Sequence, residues 1–232
     1  VTNIPITHFS IIMSELKAVL FDLDGVLVDS HFLHYRSWQK LADELDLNFN
    51  EKMGDAYRGM DRTECLIKMF RDFNNIPAPT ASKLFELTER KNNYYLEILD
   101  KASPEDLVLP GAVELLNSLQ KESIKAVIAS GSKNARKVVE HAGFGDLLFA
   151  IVDRHDIQKT KPDPEIFKTA LEVAGVPKKN AVGVEDALLG VDSIRGAGLK
   201  SIGVGHYADT ADLHVDDIKD LTVDMMRELL ET

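Results

Sequence analysis

Residues 17–29, KAVLFDLDGVLVD, contain a short apolar run that stops at two acids. Lys17-Ala18-Val19-Leu20-Phe21 has the length and composition of a strand buried inside a parallel sheet. Asp22 ends the run, Asp24 follows one residue later, and Gly25 comes next. Open α/β sheets hold their ligands in the crevice beyond the carboxyl ends of the strands. Two like charges at that point call for a cation or a chemical role. A polar turn after a strand is the plainer explanation and accounts for them less well.

The rest of the chain divides in two. From 30 to 103 the periodicity is helical throughout, with no strand signal. Trp38, Leu41, Ala42 and Leu45 trace one amphipathic helix; Leu66, Ile67, Phe70 and Phe73 trace a second, opened by Asp61 and Glu64 in a capping-box-like arrangement; Leu84, Leu87, Tyr94, Tyr95 and Ile98 trace a third. From Pro110 onward strands and helices alternate. Strands are expected at 124–130, 149–152, 181–184 and 200–204, and helices at 112–121, 133–142, 164–174, 188–197 and 223–230. Alternation of this kind implies a parallel sheet covered on both faces. The strand at 17–21 belongs with the later ones, so the helical block is an insertion. The expected architecture is α/β, a Rossmann-like parallel core at 15–29 and 104–232 with an all-helical cap at 30–103. The crossings near 29–32 and 103–109 are the expected hinges.

Composition excludes several functions. A formal net charge of −11 argues against non-specific nucleic-acid binding. No apolar run approaches the roughly 20 residues that cross a bilayer. The single cysteine, Cys65, rules out an internal disulfide and reads as a packed helix residue. The first dozen residues, VTNIPITHFSII, precede Met13 and lack the basic region of a signal peptide. Residues 1–14 read as a disordered or loosely docked extension.

Three later segments end strands of the same sheet and should converge on Asp22. Ser130-Gly131-Ser132-Lys133-Asn134 combines a hydroxyl, a glycine and a helix start, a combination that suits an anion, although alone it reads as an ordinary serine N-cap. Lys161 precedes Pro162-Asp163-Pro164, a plain helix start, and alone reads as a solvated lysine. Glu185-Asp186 are adjacent acids after an apolar strand, and they repel each other unless a cation lies between them and Asp22.

The DxDG motif with these three segments resembles the haloacid dehalogenase (HAD) superfamily, most of whose members transfer phosphoryl groups. Within it the likeness is to the β-phosphoglucomutase branch and runs from about 17 to 205. The resemblance implies that Asp22 is a nucleophile forming an aspartyl phosphate and that Asp24 is the general acid/base. It implies Mg²⁺ held by Asp22, Asp186 and the Asp24 backbone carbonyl, with Glu185 acting directly or through water; oxygen donors of this type suit the ion. Ser130 with its neighbouring backbone at Gly131, and Lys161, would hold the transferring phosphoryl group. Ser132, Lys133 and Asn134 would meet the sugar or its second phosphate.

The insert carries further candidates. Lys91 lies seven residues from both Leu84 and Ile98, on the apolar stripe of its helix, where it either snorkels past a hydrophobic edge or reaches into the interdomain cleft. Arg62 falls in the first turn of a helix, where the dipole disfavours a cation. It follows Arg58-Gly59-Met60-Asp61, a loop with room for an anion. The resemblance makes Arg62 the clamp for the phosphate not being transferred, and Lys91 a functional lysine. Asp61 stands where the family often has serine, which bears on substrate preference. His34, one turn before Trp38, reads alone as a core histidine, and through the resemblance as a group that positions Asp24.

The expected activity is interconversion of β-D-glucose 1-phosphate and glucose 6-phosphate through glucose 1,6-bisphosphate. The alternatives are a sugar-phosphate phosphatase and a non-catalytic sugar-phosphate-binding module. A cytoplasmic monomer is expected, acting on a small-molecule sugar phosphate, with no nucleic-acid or membrane partner.

Overall fold

The computed structural model describes residues 15–57, 60–206 and 208–232. The expected extension at 1–14 and the expected site residue Gly59 lie outside the described residues. In chain order the elements are β1 (Ala18–Phe21), α1 (His31–Glu44), α2 (Glu51–Asp55), α3 (Arg62–Lys68), α4 (Ala81–Leu99), α5 (Pro104–Leu107), α6 (Ala112–Lys121), β2 (Lys125–Ala129), α7 (Ala135–Ala142), β3 (Ala150–Val152), α8 (Glu165–Ala174), β4 (Ala181–Glu185), α9 (Leu188–Gly196), β5 (Lys200–Val204), β6 (Leu213–Val215) and α10 (Val223–Glu231).

The strands form one parallel sheet in the order β3-β2-β1-β4-β5-β6. β1 lies inside it, between β2 and β4, and all four of its residues are buried. Val19 and Phe21 point into one apolar layer with Ile128, Val182 and Ile202; Ala18 and Leu20 point into the opposite layer with Val127, Phe167 and Ile194. Burial on both faces explains why the strand reads as an unbroken apolar run. Each fully buried Val, Leu or Phe side chain contributes about 1.5–3 kcal/mol. In register, Phe21 lies beside Ile128 and Val184, so the ends of β1, β2 and β4 open on one edge.

β6 was not expected. It is a three-residue edge strand, too short for a periodic signal, and it continues the sheet beyond β5. The Asp212 carboxylate aligns it by accepting from the Ser201 backbone N–H and hydroxyl. α7 begins two residues later than the expected 133. Ser130 Oγ accepts from Ser132 N–H and Ser132 Oγ accepts from Asn134 N–H, so side chains cap the loop before the helix starts. At α8, Pro164 is the N-cap rather than the first helical residue, and Asp163 accepts from Glu165 N–H.

The insert α1–α4 has its own apolar cluster of Trp38, Leu41, Leu66, Met69, Leu84 and Leu87, with Tyr57 edge-on to Trp38 at 5.5 Å. α3 continues into a π-helical turn at Met69–Phe73. Its start uses half of the expected capping box: Asp61 accepts from Thr63 N–H, and among the described residues Glu64 returns no bond. Leu33, Tyr95 and Leu99 of α1 and α4 instead join the apolar layer of the sheet. The two crossings run side by side. Asp29 N–H donates to Leu107 O, Leu109 N–H donates to Leu27 O, and Val28 bridges Val108 in antiparallel fashion.

Candidate active site

At the edge where β1, β2 and β4 end, a cavity of about 450 Å³ opens between the sheet and the insert. That volume suits a small ligand. It is lined from the core by Asp22, Asp24, Ser130, Lys133, Lys161 and Asp186, and from the insert by His34, Trp38, Met60, Arg62, Lys91 and Asn92. Gly131, Ser132, Asn134 and Glu185 line it as well. Every described residue expected in the site therefore borders one space, although these residues are scattered from 22 to 186 in the chain.

At the core end the carboxylates crowd. One oxygen each of Asp22, Glu185 and Asp186 lies within 4.8 Å of the others. Lys161 Nζ lies 2.5 Å from Asp22 Oδ1 and 2.5 Å from Glu185 Oε1. Burial raises Asp22 to about 7, helped by repulsion from Glu185 and opposed by Lys161. Burial, then Glu185 and Asp22, raise Asp186 to about 8. Burial alone would lower Lys161; Asp22 and Glu185 outweigh it and hold the ammonium above its ordinary value. One lysine leaves the three acids short of positive charge. Their all-oxygen donor set fits a hard divalent cation such as Mg²⁺.

Two glycines make this crowding possible. Gly25 has φ +86°, the left-handed region, and a Cβ there would sit 2.2 Å from Asp186 Oδ2. A Cβ on Gly190 would meet the Glu185 carboxyl at 1.9 Å, so the gap in α9 lets Glu185 lie beneath the helix start, where its other oxygen accepts from Asp186 and Ala187 N–H. Gly131 differs: an added Cβ there meets nothing within 4 Å, so chain packing does not demand a glycine.

Asp24 stands apart from this cluster. Its carboxylate accepts from the Ser30 hydroxyl, and burial raises its pKa. Ser30, at the crossing into the insert, escaped the sequence reading because a serine before a helix reads only as a cap. It makes no side-chain cap to α1. Among the described residues His34 makes no hydrogen bond to Asp24; its Nδ1 lies 2.8 Å from Lys91 Nζ. Burial, with Lys91 and Arg62 nearby, holds His34 well below the usual imidazole range. A neutral Nδ1 accepts from the lysine.

Lys91 is 5% exposed and does not snorkel. Its ammonium lies 4.9 Å from the Trp38 ring centroid and 5.2 Å from that of Tyr95, and burial with Arg62 lowers it to about 7. Trp38 is thus a buried wall of the cavity rather than an exposed platform. Among the described residues Arg62 makes one long ion pair, 3.5 Å to Glu89. Lys133 is exposed and has no ion pair among the described residues. Cys65 is buried, its thiol pushed up to about 12 by desolvation.

A family model for haloacid dehalogenase-like hydrolases matches residues 16–198. The chain belongs to the haloacid dehalogenase-like hydrolase family. This HAD protein is similar to the β-phosphoglucomutase of Bacillus subtilis (strain 168), 37% identical over 215 residues, 92% of this chain and 95% of the relative. It is similar to a crystal structure of β-phosphoglucomutase from Clostridium difficile, at 34% identity and a TM-score of 0.83, covering 93% of this chain and 97% of that one. It is also 27% identical over 195 residues to the phosphorylated carbohydrates phosphatase of Thermotoga maritima, covering 82% of this chain and 86% of the relative. As a HAD-family enzyme the chain thus has both mutase and phosphatase relatives. Among the described residues no helix is long and apolar enough to cross a membrane.

Proposed function

We propose that the protein is a Mg²⁺-dependent β-phosphoglucomutase, interconverting β-D-glucose 1-phosphate and glucose 6-phosphate through glucose 1,6-bisphosphate. The observation that carries this reading is a cavity with two separate sources of positive charge. Lys161 serves the Asp22 end, and Arg62 with Lys91 serves the insert side. A bisphosphate needs both.

Asp22 attacks phosphorus in line and carries the phosphoryl group as an aspartyl phosphate. Mg²⁺, held by Asp22, Asp186 and the Asp24 carbonyl with Glu185 acting directly or through water, would supply charge neutralisation at the phosphoryl oxygens. Lys161 and Ser130 add donors there. Asp24 gives its proton to the leaving sugar oxygen and later takes one from the attacking hydroxyl; burial favours the proton-carrying form that the first step needs. Arg62 and Lys91 hold the phosphate that is not reacting, and Lys133 and Asn134 help place the sugar. Residues 30–103 act as a cap that shuts water out. The bisphosphate then turns over and presents its other phosphate to Asp22.

A sugar-phosphate phosphatase is the second reading, supported by the resemblance to the Thermotoga enzyme. The deciding experiment supplies β-glucose 1-phosphate, Mg²⁺ and a trace of glucose 1,6-bisphosphate. Glucose 6-phosphate as the main product supports the mutase; stoichiometric free phosphate supports the phosphatase. Neither product would reject both.

A further inference from the structure

One cation on the cavity wall has no part in the chemistry above. Arg154, half-buried, lines the cavity from the loop that follows β3. β2 separates β3 from β1, so the strand that delivers Arg154 runs roughly 10 Å, two strand spacings, from the one that delivers Asp22. Val152 at the end of β3 pairs with Ala129 at the end of β2, and Ser130 N–H donates to Val152 O. The loop of Arg154 and the loop of Ser132 and Lys133 therefore leave the sheet side by side. At the head of α7 the Asn134 amide donates to Asn92 Oδ1 at 2.9 Å, whereas Lys133 next to it is exposed and without an ion pair among the described residues.

Arg154 also lacks a counter-charge among the described residues, although acids flank it in the chain. Asp153 and Asp156 are both taken by Arg136, whose Nε lies 2.7 Å from Asp153 Oδ2 and whose Nη2 lies 3.0 Å from Asp156 Oδ2. Arg154 donates instead to two backbone carbonyls of its own loop, Ile157 O at 2.8 Å and Gln158 O at 3.5 Å. Those bonds fix the guanidinium and leave its charge in place. They use two of its five N–H donors. We propose that Arg154 is a specificity-determining residue, a core-side cation beside Lys133 that binds the phosphate not being transferred and so favours a phosphoryl acceptor that itself carries a phosphate. This rests on the phosphoryl-transfer reading above and deepens it: Arg62 and Lys91 reach that phosphate from the insert, Arg154 from the flank of the core. A guanidinium already held by two bonds loses little freedom on meeting an anion, and its planar fork matches two phosphate oxygens. If Arg154 served only to shape its loop, its charge would face the cavity with no anion to meet it.

The test titrates glucose 1,6-bisphosphate by calorimetry into the full chain with Mg²⁺, in an Asp22→Asn background that prevents transfer. Adding Arg154→Gln should weaken binding about 10- to 100-fold. Arg154→Lys, which keeps the charge without the paired bonds to Ile157 O and Gln158 O, should recover most of that loss. Unchanged binding in Arg154→Gln overturns the proposal, and so does an Arg154→Lys protein as weak as Arg154→Gln, which would make the residue a loop staple. With Asp22 intact, Arg154→Gln should raise KM for β-glucose 1-phosphate about tenfold or more while kcat falls less than about threefold. A loss confined to kcat overturns the subsite. Should the Asp22-intact enzyme make neither glucose 6-phosphate nor free phosphate while bisphosphate affinity still depends on Arg154, the phosphoryl-transfer reading fails and the anion subsite stands. A working mutase whose affinity ignores Arg154 removes the subsite alone.

Discussion

The two sides of the cavity are unbalanced in opposite senses. At the strand ends, three carboxylates share one ammonium, and burial with mutual repulsion pushes two of them up to about 7 and 8. In the insert, burial and the neighbouring Arg62 lower Lys91 to about 7. The core side suits a cation and the insert side an anion. A metal with a phosphorylated sugar would satisfy both, and neither side stands at its most stable while alone. The contrast shows how an acidic chain can bind an anionic ligand: local cations, rather than net charge, set the field.

The largest effect that would break this contrast is at Asp22. Asp22→Asn should reduce turnover on the order of 10⁴-fold or more, measured as glucose 6-phosphate formation, while raising the melting temperature of the metal-free protein because one crowded charge is gone. Appreciable residual activity would remove Asp22 as nucleophile. Next comes Arg62→Ala, expected to slow mutase turnover by about 10²-fold while hydrolysis of a small phosphomonoester that carries one phosphate changes far less. Equal losses would favour the phosphatase.

A third prediction concerns pH. Asp22 and Asp186 have raised folded-state values, so the folded protein binds more protons than the unfolded chain between about pH 4 and about pH 8. Their contribution to stability is therefore present at low pH and lost as pH rises through that window. Thermal melts of metal-free protein should show this loss, and added Mg²⁺ should restore stability most at the alkaline end. Mg²⁺ that shifts the melt equally at pH 5 and pH 8 would reject the acidic cluster as its site.

Lys91 runs the other way. Its folded-state value lies below the ordinary 10.5, so its penalty is complete below about pH 7 and disappears by about pH 10.5. Lys91→Met should stabilise the unliganded protein below pH 7 by on the order of a few kcal/mol, with the gain shrinking as pH rises, while raising KM for the sugar phosphate. A destabilised variant across the whole range would mean that the lysine is structural.

What the sequence disclosed divides along chemical lines. Asp22, Asp186 and Lys91 were legible because charge stood where periodicity demanded apolar residues or neutrality. The parallel core was legible because strands buried on both faces leave continuous apolar runs. Ser30 and Asn92 were not, since polar residues at a helix start or on a helix flank are ordinary and their partners lie 6 and 42 residues away. Gly190 could have been noticed as a glycine within a helical pattern. Its purpose, making room for Glu185, is visible only in three dimensions. The pairing of His34 with Lys91 rather than Asp24 is likewise a matter of side-chain reach that no spacing encodes.

The backbone pairing of 27–29 with 107–109 has one more consequence. Because the chain leaves and re-enters the sheet domain through a single stitched doorway, whatever is threaded between those points is a replaceable module. A longer, shorter or differently charged insert could be grafted there without shifting the register of any strand. New ligand preferences could therefore arise on an unaltered reaction centre.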